Sequence, residues 1–345
     1  MNSTIKSAKD LGRLYDLPRA RLFTGTPPIE AMHNLEKTLS TSCNLFIKRD
    51  DCTELAFGGN KVRQLEFYLG EAVARQANTI LITGAVQSNF VRLAAAGARK
   101  LGMDCHIQLE ERVKKNNPDY YKSGNVFLDH LLGATMHSYP EGEDEHGADQ
   151  QLKTIAEELR LNGKIPYIIP LSPNHLPLGA LGYVVAAQEI LEQLYAQQIS
   201  IDEIIVASGS GATHSGLLFG LRALGSNIKV RGICVRRAAT DQMSRITDKC
   251  RKISTMLDIK NPVVKSDIIL DDTFLAPGYG QAGKDCVEAI KLCARTEALI
   301  LDPTYTGKTM AGFIHRVKSL NAGQSFLFIH TGGTPAIFAY MDDLA

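Results

Sequence analysis

The chain has 345 residues with a formal net charge of +1, 44% hydrophobic and 22% charged residues. That size suits one large or two moderate α/β domains. The near-neutral balance, without a basic stripe or arginine-rich arm, argues against nucleic acid or an anionic membrane as partner. Seven cysteines form no C-x-x-C pair, so they read as reduced thiols in a reducing compartment and offer no zinc site. The N-terminus lacks the apolar run of a signal peptide, and no stretch approaches a membrane span. The expectation is a cytoplasmic protein.

Residues 1–45 are mixed in pattern, with turn signals at Thr26-Pro27-Pro28. From Val62 onward, short apolar runs alternate with amphipathic ones. Val62–Gln76 is predicted helical, with Val62, Leu65, Leu69 and Val73 on one stripe. A strand at 79–82, a helix at 89–101, a strand at 105–109 and a helix at 121–132 follow. A weak strand at 134–137, a helix at 148–161, a strand at 167–169 and a long helix at 180–195 complete this run. The alternation restarts with a strand at 203–207, a glycine loop and a helix to Leu224. Strands are predicted at 230–235, 267–270 and 325–330, with helices near 284–296 and 308–319. Alternating strands and helices mean parallel βαβ units, and two successive runs predict two sheets with a cleft between them.

Three other stretches read as surface. The runs Arg112-Val113-Lys114-Lys115 and Arg236-Arg237 are expected on solvated faces. Glu141-Gly142-Glu143-Asp144-Glu145 reads as an exposed acidic loop or helix start, with no organised metal cage around it.

Ser208-Gly209-Ser210-Gly211-Ala212-Thr213-His214 lies between a strand and a helix. Glycines let backbone N–H groups converge there, and a helix start favours an anion. The plainer alternative is a tight turn with Ser210 or Thr213 as a cap. His214 stands where a dinucleotide fingerprint needs its third glycine. Asp285 replaces the hydroxyl of a P-loop in Gly278–Lys284, and Asp302 replaces the first glycine ahead of Gly307-Lys308-Thr309, so a nucleotide site is rejected.

Lys61 follows Gly58-Gly59-Asn60 at a helix mouth. It is either a surface lysine after an Asn60 cap or an amine held to form an imine with a fixed carbonyl. Gln87-Ser88-Asn89 opens another helix; Ser88 is either its N-cap or, with the helix-start N–H groups, a carboxylate binder. Thr331-Gly332-Gly333-Thr334 follows the last strand, and Tyr279 and Tyr305 lie in glycine-containing loops as acid/base or packing residues. A lysine and a phosphate cradle together suggest pyridoxal 5′-phosphate.

Taken together, Lys48-Arg49-Asp50-Asp51, Gly58-Gly59-Asn60-Lys61, Gln87-Ser88-Asn89 and His330-Thr331-Gly332-Gly333 resemble the tryptophan-synthase-β-type pyridoxal-phosphate enzymes. Within them the chain resembles the group of D-cysteine desulfhydrases and 1-aminocyclopropane-1-carboxylate deaminases, from about Pro18 to Tyr340. The resemblance implies two three-layer α/β/α domains with mostly parallel sheets: residues 1–63 plus 178–345 as the cofactor-binding domain and 64–177 as the smaller one. It implies that Lys61 carries the cofactor, Ser88 binds the substrate carboxylate, and Asn89 meets the substrate or the cofactor 3′-oxygen. Ser208, Gly209, Ser210, Gly211, Ala212 and Thr213 would hold the phosphate, Thr331 would face the pyridine nitrogen, and Tyr279 and Tyr305 would line the reacting side. The deaminases carry glutamate where this chain has Thr306, and the desulfhydrases share the threonine, which implies β-elimination of D-cysteine. Phe90 stands where the desulfhydrases usually have histidine. L-Cysteate sulfo-lyase and 1-aminocyclopropane-1-carboxylate deaminase remain alternatives, as does a non-catalytic pyridoxal-phosphate-binding protein. A homodimer is implied by the resemblance alone.

Overall fold

A computed structural model describes residues 11–142, 144–172, 175–319 and 323–345; Glu143 of the acidic run lies outside them. Two sheets form. The four-stranded sheet contains β3 (Thr79–Ala85), β4 (Asp104–Glu110), β5 (Thr135–Tyr139) and β6 (Pro166–Ile169), all parallel in the order β5-β4-β3-β6. The six-stranded sheet contains β1 (Ile29–Ala31), β2 (Asn44–Lys48), β7 (Glu203–Ser208), β8 (Lys229–Cys234), β9 (Ile269–Asp271) and β10 (Ser325–Ile329). Its order is β1-β2-β10-β7-β8-β9, parallel except for the edge strand β1.

The helices are α1 (His33–Leu39), α2 (Asn60–Ala74), α3 (Asn89–Lys100), α4 (Gly124–Leu131), α5 (Glu145–Leu161) and α6 (Leu181–Ala196). Then come α7 (Ala212–Ala223), α8 (Ala239–Leu257), α9 (Lys284–Glu297), α10 (Thr306–Lys318) and the short α11 (Met341–Leu344). They cover both faces of both sheets, for a reason visible in the strands. Successive side chains of a strand point to opposite faces. Ile204 and Val206 enter the core under α6, α7 and α8, whereas Ile205, Phe326 and Phe328 enter the core under α1, α9 and α10. Ile80 and Ile82 pack with α2 and α3, and Leu81 packs with Leu152, Ile155 and Ala156 of α5. Strands apolar on both faces need cover on both sides, which is the parallel-sheet solution.

α2 serves both halves: Leu65 and Leu69 join the core of the smaller sheet while Phe67 joins that of the larger. The boundary expected after residue 63 therefore falls inside this helix. Val73, expected on the buried stripe, is half exposed. The helix expected over 121–132 is divided: Pro118–Tyr121 forms a 3-10 turn, and α4 starts at Gly124, whose φ of +60° breaks the run. α5 begins three residues earlier than expected because Asp144 caps it, accepting from the Gly147 N–H at 2.9 Å.

The N-terminal stretch read as mixed supplies β1, α1 and β2, so the larger sheet gathers strands from both ends of the chain. α8 was also absent from the sequence reading. Its buried stripe of Gln242, Ile246, Cys250, Ile253 and Leu257 has helical spacing, but charged residues crowd the outer face and a glutamine begins the stripe. No described helix is long and apolar enough to cross a membrane. Among the described residues no cysteine is in a disulfide; six are buried and Cys52 is exposed.

Candidate active site

The strand ends set the site. In the larger sheet Lys48 pairs with Ile329 and Ser208 with Cys234; in the smaller one Ala85 pairs with Glu110 and Glu110 with Tyr139. Each sheet thus presents a row of carboxyl ends, where loops of α/β proteins collect ligands. A cavity is lined by Lys61, Ser88, Asn89, Phe90, Gly209, Ser210, Gly211, Thr213, Tyr305 and Thr331, among others. A second one continues from it past Lys61, Ser88, Phe90 and Tyr305 to Arg112, Glu145, Arg236, Arg245 and Tyr279. Residues from five separate stretches of sequence thus meet in the first cavity.

Lys61 is the second residue of α2. Gly59, not Asn60, is the N-cap, and the Asn60 side chain instead donates to Thr213 Oγ1 at 2.8 Å. The two glycines before it permit a close backbone crossing. Gly59 has φ +123°, and a Cβ there would meet the Thr331 carbonyl at 3.0 Å. Gly332 has φ +85°, and its Cβ would stand 2.7 Å from Gly59 Cα. The Asn60 N–H donates to Thr331 O at 3.1 Å, tying the two loops together. Burial, then the positive charge of Lys249, push the Lys61 amine down to about 8. Its Nζ stands 5.6 Å from the centre of the Phe90 ring.

Below the lysine lies the Lys48–Asp51 motif, which is structural. Asp50 is buried and receives Arg63 at 2.9 and 3.1 Å and the Tyr183 hydroxyl at 2.5 Å. Arg63 also pairs with Glu189 at 2.8 Å, and buried Lys48 donates to Glu189, Gln193 and Pro27 O, each at 2.5 Å. Buried charges persist when paired and hydrogen-bonded in this way. The network anchors the first turn of α2.

The glycine loop runs from β7 into α7, with Gly211 as N-cap at φ +88°. The first N–H groups of a helix lack intrahelical acceptors, and the loop that precedes these lines the cavity. Ser208 and Ala212 do not line it. The Ser208 hydroxyl is fully buried, accepts from Gln242 Nε2 at 2.9 Å and shares a 3.1 Å hydrogen bond with His214 Nδ1. Lys249, from α8, borders the loop: a Cβ on Gly211 would lie 3.5 Å from its Cδ. Burial, with Arg245 and Lys252 nearby, pushes its amine down to about 8. Lys249 escaped the sequence reading along with its helix.

On the opposite side, Ser88 caps α3, its Oγ accepting from Val91 N at 3.3 Å. Gln87 is spent internally: its amide donates to Tyr120 O at 2.7 Å and Ser123 O at 3.0 Å, and accepts from Asn125 N at 2.9 Å. The Asn89 carbonyl oxygen accepts from Arg92 and from Asn125, both at 3.0 Å, so its NH₂ is the end left for the cavity. Tyr279 and Tyr305 share a hydroxyl–hydroxyl bond of 2.6 Å, and burial raises the Tyr305 phenol. Buried Lys308 holds the Tyr279 loop, donating to Leu275 O at 2.7 Å and Gly278 O at 2.6 Å; the rejected P-loop tail is a strut. Thr306 is fully buried outside the cavity lining, its hydroxyl bound to Asp302 Oδ1 at 2.8 Å.

The basic runs do not face solvent throughout. Arg112 is nearly buried and donates to Glu110 at 2.8 Å, while Arg236 and Arg237 turn inward with Arg245 of α8 onto Glu145. Glu145, expected in an exposed acidic loop or helix start, does begin α5 but accepts them at 2.9–3.1 Å instead of facing solvent. Although burial opposes it, Arg245, Arg236 and Arg237 hold its carboxyl below the usual range. Long-range pairing, invisible in a local charge pattern, explains both corrections. Among the described residues no group of three or more His, Cys, Asp or Glu side chains is placed to hold a metal ion.

A half-buried, neutralisable lysine beside a glycine-lined helix start, with a polar helix start facing it across the cavity, fits pyridoxal phosphate. Residues 20–332 match the family model of pyridoxal-phosphate dependent enzymes, and the chain belongs to that family. It is 39% identical over 332 residues to the D-cysteine desulfhydrases of Klebsiella pneumoniae subsp. pneumoniae and of Salmonella choleraesuis, covering 96% of this chain and 98% of each relative. The solved structure of an ACC deaminase homologue superposes with a TM-score of 0.86 at 34% identity, covering 98% of both chains. A fungal L-serine ammonia-lyase from Rhizomucor miehei, 18% identical with 93% of this chain and 97% of that one covered, shares the fold at a TM-score of 0.62.

Proposed function

We propose that the protein is a lyase that converts D-cysteine to pyruvate, hydrogen sulfide and ammonia by β-elimination. The observation that carries this reading is Lys61, half-buried and depressed to about 8, between the Ser88–Asn89 helix start and the glycine loop. The near full-length likeness to D-cysteine desulfhydrases supports it. When bound, pyridoxal phosphate supplies an aldehyde that captures amines and a ring that takes up charge from Cα.

The residues divide the rest of the work. Gly209 to Thr213 would hold the phosphate, with Lys249 as a nearby countercharge; Asn89 would offer its NH₂ to the 3′-oxygen, and Thr331 its hydroxyl to the ring nitrogen. Ser88 and the first N–H groups of α3 bind the substrate carboxylate. Lys61 would hold the cofactor and, as a free amine, would be placed to take the Cα proton; a depressed pKa gives it a substantial neutral fraction near pH 7.5. The Tyr279–Tyr305 pair keeps a phenol proton available to the departing sulfur. Thr306 contributes by being no carboxylate: nothing at that position reaches the ring nitrogen to deepen its charge, which favours a substrate with a good leaving group. The division into residues 1–63 plus 178–345 and 64–177, a homodimer and a cytoplasmic location belong to the same reading, on the resemblance. Sedimentation as a single-subunit mass would remove the dimer.

Purified protein should carry the visible absorbance of bound cofactor. Lys61→Ala is expected to lose that absorbance and to lower sulfide release by about a thousandfold or more. In a panel of D-cysteine, L-cysteine, L-cysteate, β-chloro-D-alanine and 1-aminocyclopropane-1-carboxylate, D-cysteine should show the highest kcat/KM for a thiol substrate. Production of 2-oxobutyrate from the cyclopropane without sulfide from D-cysteine would overturn the reading.

A further inference from the structure

Asn89 presents its NH₂ to the cavity only while its carbonyl oxygen is held back, and a buried cation does part of the holding. Arg92 lies about one turn further along α3. It is fully buried, and its guanidinium reaches acceptors on three segments. Nη1 donates to Asn89 Oδ1 at 3.0 Å and to Asn125 Oδ1 of α4 at 2.7 Å, and Nη2 donates to the Gly58 carbonyl at 2.9 Å. Asn125 in turn donates from Nδ2 to Asn89 Oδ1 and to Gln87 O, both at 3.0 Å. The fork therefore joins the helix start that carries Ser88 and Asn89 to the turn that precedes Lys61.

The charge on this fork is not spent on a carboxylate. Arg92 Nε and both carboxyl oxygens of Asp129 are buried without a hydrogen-bond partner among the described residues. Burial pushes the Asp129 carboxyl up to about 8 although Arg92 pulls it down, so at about pH 7 it is mostly uncharged. Burial also lowers Arg92, to about 10, which leaves it a cation at neutral pH. A guanidinium bound to an amide oxygen polarises the amide and strengthens its N–H donors. Asn89 lines the cavity beside Lys61, so its NH₂ is the outlet for that charge.

We propose that Arg92 is a positioning residue for the cofactor ring: it fixes the Asn89 amide with its NH₂ toward the 3′-oxygen and strengthens that donor toward a negatively charged oxygen. The inference deepens the proposed function and rests on its placement of Asn89. Arg92 acts through Asn89 at one end of the fork and through Gly58 at the other, and the two arms have different consequences. Loosening the Gly58 arm disturbs the turn before Lys61 and weakens every ligand of the site alike. Loosening the Asn89 arm weakens only a ligand that carries an oxygen at the 3′ position. A lysine in place of Arg92 keeps the charge but not the planar fork that meets three segments at once.

Calorimetric titration of the full chain, freed of cofactor, separates the arms. One ligand is pyridoxine 5′-phosphate, which has no aldehyde and forms no bond to Lys61. The other is the same compound without the 3′-hydroxyl. The unsubstituted protein should bind the first about tenfold tighter. Asn89→Ala should bring that ratio to about one. Arg92→Gln should cut it by about threefold or more, and Arg92→Lys, which keeps the charge, by less. Asn125→Asp sets an anion against Nη1 and takes one donor off Asn89 Oδ1. It should cut the ratio as Arg92→Gln does, and it decides the matter if that variant fails to fold. A merely structural Arg92 would weaken both ligands equally and leave the ratio unchanged in Arg92→Gln, which overturns the proposal. A ratio unmoved by Asn89→Ala overturns it too, together with the placement of Asn89. Sulfide release from D-cysteine is measured on the cofactor-loaded protein. Its absence would sink the desulfhydrase reading while leaving the ratio to decide Arg92.

Discussion

The floor of the cleft and its outer wall are built on different principles. The floor, from Gly58-Gly59 through Gly209–Gly211 to Gly332, is made of backbone: carbonyls, N–H groups and positive φ angles that only glycine adopts cheaply. The wall is made of side chains, Arg112, Arg236, Arg245 and Glu145, brought together from three separated segments. A backbone-built site tolerates almost no change at its glycines and announces itself in a short motif. A wall of ion pairs can be rewired one side chain at a time, and this makes it the place where relatives on one scaffold can part in substrate choice.

The sharpest blow to the floor is Gly332→Ala. At φ +85°, with a Cβ 2.7 Å from Gly59 Cα, the substitution strains its own backbone and presses on the loop ahead of Lys61. A loss of about 2–3 kcal/mol in unfolding free energy is expected from denaturant titration, together with weaker cofactor retention. Unchanged stability would mean that the two glycine loops do not meet as closely as described.

A smaller effect reads the electrostatics where floor and wall adjoin. The Lys61 amine is depressed to about 8 by burial and by Lys249. Only the neutral amine attacks an aldehyde, so the sign is fixed. Reconstitution of apoprotein with pyridoxal phosphate should accelerate about tenfold per pH unit below pH 8 and flatten above it. An ordinary lysine would go on accelerating beyond pH 10. Continued rise there in stopped-flow absorbance would show that neither burial nor Lys249 acts on Lys61.

The least effect should come from Ser208→Ala. Removing this hydroxyl strands the Gln242 amide, which costs about 1–2 kcal/mol. Because Ser208 lies outside the cavity lining, cofactor affinity should change by less than about threefold. A drop of tenfold or more in equilibrium dialysis would extend the floor one residue back along β7.

Much of this was legible because it is local. Parallel βαβ alternation follows from apolar period and length, and Gly-Gly-Asn-Lys or Ser-Gly-Ser-Gly imposes its backbone geometry within a few residues. Lys61, Gly209 to Gly211, Thr213, Ser88 and Asn89 accordingly meet in one cavity. Ser208 and Thr306 do not line it, because neighbours in sequence can point to opposite sides of a turn. Arg236, Arg237 and Glu145 defied their surface reading. Whether a charge is solvated depends on a partner that, for Glu145, lies some ninety to a hundred residues away. α8 was passed over because its buried stripe begins with Gln242, whose amide NH₂ donates to Ser208 across the core.

What the sequence by itself determined is the set of short-range constraints: where glycine permits a positive φ, which strands are apolar on both faces, and which lysine follows a helix-opening turn. Only the tertiary structure decided the charge state and company of the side chains in the cleft. Desolvation and Coulomb interactions depend on distance in space, and the fold sets Lys249 beside Lys61 and three arginines around Glu145.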